Sequence, residues 1–162
     1  MWTSWRGTVG FIATKVRAGQ FNGQQPVGLH RSDWDDAMHC ALVLGPVGRS
    51  PWKEYLALTA TDLRQRVEEG RHTGWRPEVL SPYPMAAGGI GFTAVFLNDG
   101  DRVGWAFEMD LTPEEYERTL AANKAKGLRP AAVAPYDSGR ETRYAAVWVT
   151  YRPVPEPTRP KD

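Results

Sequence analysis

The sequence predicts an α+β fold built as a tandem array, with a period of about 53 residues and, in each unit, a small antiparallel three-stranded sheet plus one helix. Three observations predict it. The phrase GWRPEVLSPY (74–83) returns fifty-three residues later as GLRPAAVAPY (127–136). The same helix-start signal precedes both phrases at the same distance. A short apolar run follows each of them, FTAVFL (92–97) and YAAVWV (144–149), and HCALVL (39–44) matches them further upstream. Self-similarity at a fixed period marks a chain of stacked supersecondary units.

The elements follow in order. Residues 1–25 read as the degenerate end of a preceding unit, with Trp5 in the tryptophan position later held by Trp52 and Trp105. The first full unit opens with a strand near Pro26. RSDWDD (31–36) is rich in side chains that bond their own backbone, so it reads as a turn. The apolar run at 39–44 and WKEYLAL (52–58) read as the next two strands.

Thr59 with Asp62 starts a helix, a hydroxyl cap with a carboxylate three residues on. Leu63 and Val67, four apart, share one face of it. Gly74 follows as a left-handed C-terminal residue, and Pro77 forbids continuation and opens an extended segment ending at Tyr83. The next period repeats these signals. PMAAGGIG (84–91) turns the chain, and FTAVFL, the turn NDGD (98–101) and VGWAFEM (103–109) follow. Thr112, Pro113 and Glu115 start a second helix with proline at its first position, Tyr116 and Leu120 repeat the buried pair, and Gly127 and Pro130 end it.

Helices are therefore expected over 60–72 and 113–126. The units are expected at 26–76 and 77–129, each strand, strand, strand, helix. Partial units at 1–25 and 130–152 complete a tandem-repeat domain over 1–152. The last residues, 153–162, are proline-rich and read as a disordered tail or a linker.

Composition bounds the function classes. The chain has 162 residues, 41% hydrophobic and 24% charged, which suits a globular domain or short array. Twenty basic and nineteen acidic residues leave a net charge of +1, so neither nucleic acid nor an anionic membrane is an expected partner. Cys40 is the one cysteine, which excludes a disulfide framework and a thiolate metal cluster. No stretch has the length of a signal-peptide core or a membrane span, so a cytoplasmic location, or a module cut from a larger protein, is expected.

The phrases DLTPEEYERTLAANKAKGLRPAAVAPY (110–136) and RYAAVWV (143–149) resemble the bacterial tandem repeat domain, with its Leu-Thr helix start, Gly-x-Arg-Pro turn and Tyr-Ala-Ala-Val-Trp strand. Similar repeats form the N-terminal domain of fungal polyglycine hydrolases, beside a β-lactamase-like catalytic domain. The likeness is close over 102–151, fair over 49–97 and poor before residue 39. It implies an interaction or scaffold module and carries over no catalytic residue.

Several constellations compete with that reading. SPWK (Ser50–Lys53) has the Ser-x-x-Lys pattern of β-lactamase-like nucleophiles. It falls at a strand start, where the two side chains point to opposite faces. HRSDWDDAMHC gathers His30, Asp33, Asp35, Asp36, His39 and Cys40, all possible metal ligands, in a segment that also reads as a turn between strands. Gly88, Gly89 and Gly91 lack the following helix that a phosphate loop needs. His72, Asp137 and Ser138 have the residue types of a hydrolytic triad and nothing more.

The leading expectation is a non-catalytic repeat module with no cofactor. It would bind a protein or peptide, or position a fused neighbouring domain. A hydrolase, metal-assisted or not, working from His30 to Lys53 is the alternative. The residues placed to make contacts are the repeated pairs Trp52 and Trp105, Arg76 and Arg129, and Tyr83 and Tyr136. The arginines also suit a structural role, since each lies just past a helix C-terminus, where a guanidinium can meet unpaired carbonyls.

Overall fold

The computed structural model describes residues 3–34, 37–46, 50–85, 87–98 and 103–150. They form nine strands and three helices: β1 (Thr3–Thr8), α1 (Val9–Phe21), β2 (Gln24–Trp34), β3 (Ala37–Pro46), β4 (Trp52–Thr59), α2 (Ala60–Thr73), β5 (Trp75–Pro84), β6 (Ile90–Asn98), β7 (Trp105–Leu111), α3 (Pro113–Ala125), β8 (Leu128–Asp137) and β9 (Thr142–Thr150). They make three antiparallel three-stranded sheets, ordered β1-β3-β2, β4-β6-β5 and β7-β9-β8. The α+β class and the repetition are as the sequence predicts, and the two helices expected at 60–72 and 113–126 lie at 60–73 and 113–125.

The phase of the repeat differs from the expected one. Each sheet takes its strands from a strand–helix–strand–strand unit, so the units are 3–46, 52–98 and 105–150, not 26–76 and 77–129. A repeating sequence fixes the period but not the origin, which the strand partners choose. Within the expected partial unit 1–25, residues 3–21 supply the first strand and helix of a full unit, and 128–150 supply the last two strands of another. The tail at 153–162 lies outside the described residues.

Unit 1 also slips against the expected alignment. Ile12 and Val16 of α1 stand fifty-one residues before Leu63 and Val67 of α2. Leu44 pairs with Pro26 as Phe96 pairs with Pro77 and Trp148 with Pro130. Leu44 therefore corresponds to Phe96, one residue off the match of HCALVL with FTAVFL. By the same register Trp5, opposite Leu42, corresponds to Tyr55, opposite Ala94, and not to Trp52. A cation confirms the pairing: Lys15 lies 4.0 Å over the Trp5 ring, as Arg66 lies 5.5 Å over Tyr55.

Strand chemistry explains the order within each sheet. Proline cannot donate to a ladder, which confines it to edges and bulges. Each edge strand β2, β5 and β8 carries a proline at a register shift, at Pro26/Gly28, Pro77/Val79 and Pro130/Ala132. The central strands β6 and β9 are apolar on both faces and buried throughout their middles. Both helices of units 2 and 3 open on a full capping box, Thr59 with Asp62 and Thr112 with Glu115, and α2 closes on left-handed Gly74 (φ 76°).

The units stack with helices as spacers. The helix α2 is sandwiched: Leu63 and Val67 share one core with Leu80, Phe92 and Phe96 of unit 2 and with Phe107, Ala145, Val147 and Val149 of unit 3. The helix α1 repeats this, with Ile12, Val16, Leu29, Leu42 and Leu44 forming a core against Trp52, Leu56 and Val79 of unit 2. Edge strands of successive units also touch directly, β2 against β5 and β5 against β8.

Candidate functional site

A cleft lies between units 2 and 3, at the end of the sheets that carries the β5–β6 and β8–β9 turns. It has a volume of about 650 Å³. Unit 2 contributes Pro82, Tyr83, Pro84 and the glycines 88 and 89, and unit 3 contributes Asp110, Pro135, Tyr136 and residues 137–139. The repeated tyrosines of the sequence thus meet at one place. Both glycines of the β5–β6 turn have φ near +85°, a conformation open to residues without Cβ. The β8–β9 turn is closed by Asp137, which accepts from Gly139 N at 2.7 Å, and by Ser138 Oγ, which donates to Glu141 O at 2.8 Å.

The two tyrosines have different surroundings. Tyr83 is buried over Gly91, where a Cβ would stand 2.4 Å from the ring. Its counterpart Tyr136 faces Arg143 in the strand register, where Tyr83 faces Gly91. Tyr136 packs edge-on to Phe92 of unit 2, with centroids 5.4 Å apart. Its hydroxyl donates to Asp110 Oδ1 and accepts from Asp110 N at 3.1 Å. Burial first, and the bond to Asp110 second, push this phenol well above its ordinary range.

Asp110 anchors the wall of the cleft. It is the one non-glycine residue with positive φ among those described, at 61°, and sits at the bulge of β7 between Glu108 and Leu111. Such a conformation costs on the order of 1 kcal/mol and persists where surrounding contacts over-determine it. Here its carboxylate pairs with Arg64 of α2, and its carbonyl accepts from Arg143 at 2.7 Å. Arg143 also pairs with Glu141. The position of Asp110 in unit 2 is Ala57, so the aspartate at the centre of this network has no counterpart there. A repeat search by similarity passes over it, which is why sequence reasoning missed Asp110, Arg64 and Arg143. The signal available was the single aspartate at an otherwise apolar repeat position.

The remaining expected contact residues lie elsewhere. Trp52 joins the core between units 1 and 2. Trp105 takes the Arg71 guanidinium 4.8 Å over its ring, across the boundary between units 2 and 3. Arg76 is buried and paired with Glu78, whereas Arg129 is exposed on β8. Ser50 and Lys53 flank the start of β4, and Lys53 Nζ is held 4.0 Å over Trp75. His30 Nδ1 lies 3.1 Å from Ser81 Oγ. Asp33, His39 and Cys40 are placed on β2 and β3, and Asp35 and Asp36 lie outside the described residues. Among the described residues no group of three potential ligands converges on a metal position, and no helix is long and apolar enough to cross a membrane. His72 pairs with Glu68 on α2, away from Asp137 and Ser138 on the β8–β9 turn.

Fold and cleft together define a class, an α+β tandem-repeat array whose layers are sheet and helix in alternation. The chain belongs to the polyglycine hydrolase-like structural repeat family, whose model matches twice, over residues 49–99 and 102–151. Both matches coincide with units 2 and 3 as their sheets define them. The comparison with curated proteins finds no match.

Proposed function

We propose that the chain is a non-catalytic repeat module that takes an extended protein segment or peptide in the cleft between units 2 and 3, and so positions what lies beside it. The observation that carries this reading is the meeting of Tyr83 and Tyr136, with their neighbouring prolines, across one boundary. Concave sites walled by apolar and aromatic groups with a few fixed polar atoms suit ligands of that kind. The polar atoms here, on Asp110, Asp137 and Ser138, are held by their own chain and offer orientation more than reactivity. The structural-repeat family supports the non-catalytic side of the proposal.

Amide shift mapping against a panel of extended decapeptides, proline-rich and polar, tests it. Shifts confined to the turns at 87–90 and 137–141 are expected. Hydrolysis of ester or peptide substrates that is lost in Ser50→Ala or Lys53→Ala would overturn the reading in favour of a hydrolase.

A further inference from the structure

Among the described residues, no further sheet covers the outer face of α3. In the interior, α2 turns one row of residues toward the next sheet: Arg64 pairs with Asp110, Arg71 lies over Trp105, and Glu68 stands between them on the same helix face. The corresponding row of α3 is Glu117, Ala121 and Lys124, and all three residues are exposed. The same side of the adjoining sheet shows the lack of a cover. Leu29 and Leu80 are 3% and 9% exposed beneath the following layer, whereas their counterpart Val133 is 41% exposed.

The charges on this row differ from those on α2 in a way that selects a partner. The row on α2 carries two cations, matched to an aspartate and a tryptophan of the next sheet. On α3 the two ends carry opposite charges, an acid at 117 and a base at 124. They are two helical turns apart, about 10.5 Å along the axis, with the small Ala121 between them. A row of that kind is complementary to itself when reversed. Two α3 helices laid antiparallel bring Glu117 of each against Lys124 of the other, with Ala121 near the two-fold axis permitting close approach and Val133 entering the seam. A two-fold contact of one patch with itself is the commonest way in which soluble chains pair.

We propose that the α3 face is a self-association surface, on which a second copy of this chain docks across a two-fold axis through Glu117, Ala121, Lys124 and Val133. The reading is independent of the cleft, which lies on the other side of sheet β7-β9-β8.

Charge exchange tests it on the whole chain. Sedimentation equilibrium from micromolar to millimolar protein should show a reversible dimer. Glu117→Lys alone and Lys124→Glu alone each set like charges opposite one another at two symmetric places, and each should weaken the dimer roughly tenfold or more. The double variant Glu117→Lys/Lys124→Glu restores both pairs and should return the dissociation constant to within about threefold of the starting value. Circular dichroism on each variant confirms that α3 is folded. A protein monomeric throughout this range overturns the proposal. So does a dimer indifferent to the single changes, or one that the double variant fails to restore.

Discussion

At the scale of single residues, equivalent positions in the array have diverged in ways that only their neighbours explain. Tyr83 and Tyr136 occupy one repeat position, yet Tyr83 rests on a glycine and Tyr136 on an aspartate bond. Gly91 is therefore required by the ring above it, while Arg143 at the matching place is tolerated because Tyr136 leans toward Asp110. Replacing Gly91 by alanine should cost about 1–3 kcal/mol, since a methyl 2.4 Å from Tyr83 forces the ring or β6 to move. Urea denaturation measures this, and a stability equal to that of the parent would show that Tyr83 can leave its place freely. Sequence similarity exposed the tyrosine pair and hid the partners, because a partner that changes from Gly91 to Arg143 leaves no repeated letter. The arginines show the limit from the other side. Arg76 and Arg129 are alike in sequence and context, yet one is buried and one exposed.

At the scale of elements, local chemistry was legible and phase was not. The capping boxes, Gly74 and the proline after each helix fixed α2 and α3 to within a residue or two. The helix α1 falls outside the helices that the sequence predicts, although Thr8 Oγ1 accepts from Phe11 N at its start, as a hydroxyl cap does. Glycines at 7 and 10 and the missing acid three residues after Thr8 weakened the signal. The caps also make a pH prediction. In both boxes the threonine holds the carboxyl below its ordinary range, for Asp62 chiefly through the Thr59 side chain and for Glu115 chiefly through the Thr112 backbone N–H. A carboxyl depressed in the folded state stabilises above its unfolded pKa, and that contribution is lost as pH falls through the folded value. The melting temperature should therefore fall as pH drops below about 4.3, the unfolded range for glutamate. Thr112→Ala should lower stability at neutral pH by about 1 kcal/mol, and Glu115→Gln, which removes the titrating carboxyl, should flatten that acid dependence. Thermal melts of parent and variants between neutral pH and pH 3 check both effects, and parallel curves for parent and Glu115→Gln would remove the box from the account.

At the scale of the whole molecule, the two cores divide the array unequally. Units 2 and 3 share one continuous core around α2, with the Phe92–Tyr136 ring contact, the Arg64–Asp110 pair and the Arg71–Trp105 stack crossing the same boundary. Among the described residues, unit 1 joins unit 2 through a smaller cluster around Ile12 and Val16. Its outer sheet face is open, for Val43 is 37% exposed where Val95 and Val147 are 0% exposed. In an array whose layers touch only their neighbours, stability is a sum of unit and boundary contributions. Native-state hydrogen exchange should therefore show β6 and β9 opening together and last, with β3 losing protection at a lower free energy. Equal protection of β3 and β6 would mean that the boundary between units 1 and 2 is as strong as the next one. The period made the array visible in the sequence. Which strands share a sheet was settled only by pairing, since a repeat can be cut anywhere along its length.

The strand order within each sheet has a consequence for synthesis on the ribosome. The first and second strands of a unit never bond to each other. Both bond to the third, which is made last and enters between them. A nascent chain that has released β4, α2 and β5 thus holds two separate edges with no ladder, and β6 closes the sheet in one step. The same wait recurs for β7, α3 and β8 until β9 emerges. Each unit is thus held open until its last strand is made, and the core around α2 stays incomplete until the last strand of the neighbouring unit arrives.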